Sequence, residues 1–170
     1  MDTPTLLADA FGRIQEDAYL AAEGRTAAEL AYQPDPAANS IAWLVWHLAR
    51  VEDGHMSEIA DLPQAWISDG WAERFGREPD PHDVGFGHTP EQVRTIRPAG
   101  PELLLQYLDA VTARTLEYLP TITPDRLDRI IDERWDPPVS VGVRIVSVID
   151  DCTQHAGQAN YVRGLLERLG

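Results

Sequence analysis

Asp151 and His155 sit in a stretch, Val141 to Leu169, whose apolar residues Ile145, Val148, Ile149, Cys152, Ala156, Ala159 and Val162 recur at the three-and-four spacing of an amphipathic helix. Four helical residues turn the chain by about 400° and advance it by about 6 Å, so the carboxylate and the imidazole stand one above the other beside the apolar stripe. Burying either group without a partner is costly, and a metal ion would satisfy both. Far upstream, His47 falls in the middle of a second apolar pattern made by Ile41, Leu44, Val45, Leu48, Val51 and Ile59. His47, Asp151 and His155 together offer two imidazoles and one carboxylate. That is a common facial set for a divalent transition metal, with positions left open for water or substrate. Spacing alone leaves a second arrangement open, in which Asp151 and His155 bond each other across one turn and His47 is a satisfied core histidine.

Other residues stand near this set. Gln158 continues the line of Asp151 and His155, and suits the support of a ligand or of a water; a helix-packing amide is its simpler reading. Cys152, offset by about 60° from His155, is a candidate fourth ligand or thiol-exchange partner, although a small buried hydrophobe accounts for it more simply. His55 follows His47 by eight residues, about 12 Å along the axis and rotated by roughly 80°, so the two cannot share one ion. His55, His82 and His88 read as surface or loop histidines. His88, in a Gly-rich segment, and Trp71 are the candidates for contact with a substrate. Asp150 points about 140° away from His155 and reads as solvated.

Four long amphipathic segments must position these groups. Residues 3–22 form the first, with Thr3 as cap and Pro4 at the first helical position. The second runs from about Ser40 to Ala60, the third from Pro101 to Leu119, and the fourth is the Val141 stretch. Thr26-Ala-Ala-Glu29 is a capping-box pattern opening a short turn. Residues 61–98 are irregular, punctuated by five prolines and by Gly70, Gly76, Gly85 and Gly87. Within them Trp71 to Phe75 suits one helical turn, and Thr89-Pro-Glu-Gln suits a capped start. A connection this long is more often functional than not, and its aromatic residues Trp66 and Trp71, with His88, are expected near the mouth of a pocket above the metal. The alternative is that they plug the end of the helices. Leu127 to Trp135 suits a short strand or an extended connector. This pattern predicts an all-α, single-domain four-helix bundle over residues 1–170, with a long loop after the second helix.

Composition narrows the function. The 170 residues include 14 basic and 28 acidic side chains, a formal charge of −14, which disfavours nucleic acid and anionic membrane as partners. All the basic residues are Arg, so a Schiff-base lysine and a Walker lysine are excluded. A single cysteine precludes an internal disulfide and suits a reducing compartment. The N-terminus shows no basic-then-apolar signal pattern, and a cytoplasmic location with a small-molecule substrate is the expectation. Nucleophile-elbow, His-Glu-x-x-His and dinucleotide-binding patterns do not occur in the sequence.

Two segments carry a family resemblance. Asn39-Ser-Ile-Ala-Trp-Leu-Val-Trp-His-Leu-Ala-Arg50, followed by Val51-Glu-Asp, resembles the second-helix signature of the DinB/YfiT-like metalloproteins. Asp151-Cys-Thr-Gln-His-Ala-Gly-Gln158 resembles their last-helix signature: a ligand, three residues, His, any residue, Gly-Gln. The similarity spans nearly the whole chain, including Trp71-Ala-Glu-Arg-Phe-Gly and Gly87-His-Thr-Pro-Glu-Gln, and is nearest to the actinobacterial branch with the metal-binding domain of mycothiol-dependent maleylpyruvate isomerase. The resemblance implies a four-helix bundle and metal ligands at His47, Asp151 and His155. It also implies a divalent ion, zinc or nickel, that activates a low-molecular-weight thiol such as mycothiol, or water. The implied activities are thiol transferase, isomerase or hydrolase, and homodimerisation is compatible with it. Asp151 departs from the family pattern, where His or Glu is usual; one methylene shorter than Glu, it must approach an ion closely or act through water. The second domain of the isomerase is not in this sequence. The competing expectation is a non-catalytic bundle that binds a metal or small ligand.

Overall fold

The computed structural model describes residues 1–169. Helix α1 spans Thr3–Ala22, a one-turn α2 spans Ala27–Leu30, and α3 spans Ile41–Ala60. The segment that follows carries three one-turn helices, α4 Ala65–Ser68, α5 Trp71–Arg74 and α6 Pro90–Val93. Helix α7 covers Pro101–Tyr118 and runs into a 3-10 turn at Leu119–Thr121. The short α8 Pro124–Asp128 precedes strand β1 Ile130–Asp132, which pairs antiparallel with β2 Val139–Ser140. Helix α9, Val141–Leu169, closes the described chain. Residues 127–135 thus contain both a helical turn and a strand, and the strand finds its partner immediately before α9.

The local signals act where the residue types require. Thr26 and Glu29 form the reciprocal capping box, as do Thr89 and Gln92. Ser40 caps α3 by accepting from the Trp43 N–H. At the N-terminus the cap is Asp2, not Thr3: its carboxylate accepts from the Thr5 N–H at 2.9 Å, and Pro4 follows inside the first turn. A carboxylate also complements the positive end of the helix, which a hydroxyl does not.

The four long helices α1, α3, α7 and α9 pack around a common apolar core, with α3 against both α7 and α9. Helix α3 is the inner one. Every residue from Ser40 to Asp53 is buried, so its apolar stripe is not its only enclosed side. The 61–98 segment covers the face that the other helices leave open.

That cover is tied down by one guanidinium. Arg50 is fully buried and donates to the carbonyls of Pro81 and Asp83, to the Gln64 amide oxygen, to the Tyr107 hydroxyl and to the Asp53 carboxylate. Asp53 in turn accepts from the Ala65 and Trp66 N–H groups and from Tyr107. The planar five-donor fork of Arg suits one residue gathering several acceptors from a loop. Trp66 lies on this cluster, its ring 4.7 Å from the Arg50 guanidinium carbon.

Glu52 is the buried acid without a matching cation. Its Oε1 has no hydrogen-bond partner, and Thr112 reaches only its Oε2, at 3.5 Å. Burial, with the Asp53 charge adding to it, raises its pKa from 4.5 to about 7. The unfolded chain releases this proton near pH 4.5, so stability contributed by the neutral form falls as pH rises from 4.5 to about 7. The loss is of order 3 kcal/mol. Glu52→Gln is therefore expected to match the wild type near pH 4.5 and to exceed it by up to about that amount at pH 8. Urea unfolding of both proteins across this range checks it; parallel pH profiles would contradict the assignment.

Candidate metal centre

Helices α3 and α9 run antiparallel, since residues rising along one face residues falling along the other. Leu48 accepts from the Cys152 thiol, and His55 meets Arg144. This pairing brings His47 opposite Asp151 and His155. One ligand atom from each of the three lies within 4.8 Å of the others. His47 Nε2 stands 3.9 Å from Asp151 Oδ2, and His155 Nε2 stands 3.7 Å from Asp151 Oδ1. Ligand atoms about 2 Å from a shared ion stand roughly 3–4 Å apart, so the spacing suits an ion better than direct pairing.

The hydrogen bonds around the rings decide which nitrogens are free. His47 Nδ1 meets the Val84 carbonyl, which can only accept, so the proton is on Nδ1 and the lone pair on Nε2. His155 Nδ1 meets Gln158 Oε1 at 2.9 Å, which places its lone pair on Nε2 as well. Both free lone pairs belong to the nitrogens that face Asp151. Asp151 Oδ2 is itself buried without a hydrogen-bond partner. Three proton-free donors with an orphaned carboxylate oxygen among them fit a divalent cation. Burial lowers the His47 pKa below its ordinary 6.5, the Val84 carbonyl opposing and nearby His155 adding to the shift, so this imidazole is neutral at pH 7.

A layer of aromatic and charged groups holds His47 in place. The Trp43 ring stacks on it, with centroids 4.6 Å apart and planes 16° from parallel. The Trp43 indole N–H donates to His88 Nδ1 at 3.1 Å, and His88 Nε2 then donates to Asp83 at 2.8 Å. Arg77 completes the chain on the other oxygen of Asp83. Burial alone would raise the Asp83 pKa, but the bonds from Arg77 and His88 outweigh it and hold the carboxyl low.

Gly85 makes the close approach possible. Its φ is +94°, and a Cβ there would lie 2.9 Å from the Trp46 ring and 3.0 Å from His47 Nδ1 and from the Trp43 ring. Gly85→Ala is expected to cost about 1–3 kcal/mol and to weaken metal binding, because the Val84 carbonyl can no longer seat on His47. Thermal unfolding together with a metal titration tests both effects; wild-type values for both would refute this role.

The structure places the remaining sequence candidates as follows. Gln158 touches His155, the ligand-supporting position. Cys152 is fully buried, and its thiol donates to the Leu48 carbonyl at 3.4 Å. Burial, with the charges of Glu52 and Asp151 adding to it, pushes that thiol well above its ordinary value; it sits in the core and is not among the clustered ligand atoms. His88 bonds Trp43 and Asp83 and supports His47 through the indole, one layer behind the cleft. Trp71 is buried with its centroid 5.3 Å from that of Tyr107 and with Arg74 over its face, and it does not line the cleft. Trp66 packs between Trp46, Phe75 and Tyr107. The wall that the 61–98 segment supplies is Val84 with Phe86. Together with Val51, His55, Ser147 and Val148 they line a cleft of about 360 Å³ whose lining also includes His47 and Asp151. His55 and Phe86 were not legible as site residues. The only signal for His55 was its two-turn spacing from His47, and Phe86 offered none.

With this geometry in view, the sequence matches the DinB superfamily over residues 10–159. The chain belongs to that superfamily. A search of curated proteins gives no match. Among solved structures, the chain is similar to a conserved protein from Enterococcus faecalis, with 36% identity, a TM-score of 0.88 and 96% of each chain covered. DinB proteins are metal-associated, and His47, Asp151 and His155 form a cluster in this chain whose geometry could hold an ion. Among the described residues, no helix is long and apolar enough to cross a membrane.

Proposed function

We propose that this protein is a single-domain four-helix bundle of the DinB/YfiT-like type that binds zinc or nickel through His47, Asp151 and His155 and uses it to activate a low-molecular-weight thiol of the mycothiol kind. The observation that carries this reading is the convergence of three ligand atoms beside a cleft lined by two of the three residues, His47 and Asp151. Three protein ligands leave coordination positions free, and the nearest thiol, Cys152, is turned into the core, so a structural four-ligand site is disfavoured. An ion held there lowers the pKa of a bound thiol or water and supplies a nucleophile at neutral pH.

The chain's own contribution is positioning. The Val84 carbonyl and Gln158 orient the two imidazoles, Trp43 stiffens His47, and Val51, Val84, Phe86 and Val148 give the approach apolar walls. The partner is a small molecule, since a −14 surface repels nucleic acid and anionic membrane. The location proposed is the cytoplasm, and a homodimer is proposed from the family resemblance. Elemental analysis of protein purified without an affinity tag tests the metal. A panel of electrophiles with and without mycothiol tests the reaction. Turnover only with the thiol supports transfer, thiol-independent turnover means hydrolysis, and none with the site loaded means a binding module.

A further inference from the structure

Two turns of α3 beyond His47, His55 lines the same cleft. Its Nδ1 lies 3.3 Å from an Arg144 nitrogen. Arg144 is held in turn by Asp132, at 3.1 Å, and Asp132 is bound by Arg134 as well. Asp132 belongs to β1, which the β1–β2 pairing fixes beside the start of α9. The small hairpin thus aims Arg144 at His55. A guanidinium has only donors, so His55 Nδ1 must accept and the ring's single proton must sit on Nε2. Glu58, the competing acceptor, is 3.7 Å from Nδ1, outside hydrogen-bond reach. His55 is therefore held as a neutral ring with its donor on Nε2, two turns of α3 away from where His47, Asp151 and His155 present only acceptors. Between the two positions the walls are Val51, Val84, Phe86 and Val148. Among the described residues, none accepts a hydrogen bond from His55 Nε2.

We infer that His55 determines substrate specificity: it donates from Nε2 to a carbonyl oxygen carried by a substrate whose reactive group lies at the triad. The substrate class is a small molecule with a nucleophilic or electrophilic head, a short apolar body and a terminal uncharged carbonyl such as an amide. Arg144 is already paired with Asp132, and Glu58 beside the ring and the −14 surface disfavour a carboxylate in that place. About 12 Å of helix separates the two histidine positions, which sets the length of the body. The inference rests on the triad being the reactive centre.

The test uses the full chain loaded with Co²⁺, whose thiolate charge-transfer band reports a thiol at the ion. Mercaptoalkanamides of increasing length are titrated against alkanethiols of matched length. At one length the amide is expected to bind about five- to tenfold more tightly than its alkanethiol, the size of one well-made hydrogen bond. His55→Ala should bring that ratio to about one, while His55→Gln, which keeps a donor, retains most of it. Cobalt affinity should be the same in all three proteins. A wild-type ratio near one at every length, a ratio unchanged in His55→Ala, or cobalt affinity lost with His55 overturns the inference while the thiol reading stands. Absence of the band in the wild type overturns the thiol reading and this inference with it.

Discussion

Arg50→Ala is expected to cost about 3–5 kcal/mol of stability, the range for removing one partner of a buried ion pair. The guanidinium is fully buried and serves five acceptors, three of them in the 61–98 segment. Its removal leaves the Asp53 carboxylate enclosed without a cation and takes the donor from the Asp83 carbonyl, while the Pro81 carbonyl keeps only the Gln64 amide, at 3.3 Å. Lysine is a poor replacement, since a point charge cannot reach acceptors spread over a plane. The loss should be local first. Asp53 still accepts from the Ala65 and Trp66 amides, so α4 stays attached while the Pro81 to Phe86 stretch detaches. Because that stretch seats Val84 on His47, metal affinity should fall with stability. Urea unfolding and amide hydrogen exchange distinguish the outcomes. A variant with wild-type stability and unchanged protection in residues 81–86 would refute the clamp.

His155→Ala should reduce metal affinity by at least about a hundredfold while leaving the metal-free protein nearly as stable as the wild type. The first part follows from chemistry. With His155 gone, one imidazole and one half-exposed carboxylate remain, and supporting residues alone are already worth 10–100-fold in such sites. The second part follows from position. His155 lies at the edge of the core, partly exposed, so its removal opens little enclosed volume and is expected to cost under about 1 kcal/mol. Gln158→Ala should weaken binding by about tenfold, because the His155 ring then loses the acceptor that fixes its proton on Nδ1. Elemental analysis and calorimetric titration on untagged protein measure both. Equal metal content in wild type and His155→Ala would end the ligand assignment.

The sequence by itself determined the helices and the local half of the candidate site. Apolar periodicity and capping act over three or four residues, so α1, α3, α7 and α9 and the two capping boxes were legible directly. The same local geometry forces Asp151 and His155 together whatever the rest of the chain does. The choice of cap at Asp2 rather than Thr3 was a competition between two adjacent residues that pattern alone does not settle. The tertiary structure decided what lies across a gap of many residues. The antiparallel pairing of α3 and α9 sets His47 against Asp151 and His155, and Cys152 against the Leu48 carbonyl rather than the site. The long segment encloses the otherwise open face of α3 and buries Arg50 and Asp53, while Glu52 is buried against Thr112 of α7, so a helix whose sequence reads as one-sided is enclosed from Ser40 to Asp53. Trp71 and Trp66 carried the aromatic signal of a pocket wall, yet they are drawn inward onto Tyr107 because burying large rings releases more free energy than lining a wet cleft. The wall fell to Val84 and Phe86, placed there by a glycine at positive φ that allows the backbone to touch His47. His55 lines the cleft through the same α3–α9 pairing, and the two-stranded hairpin, distant from it in sequence, holds Arg144 against it.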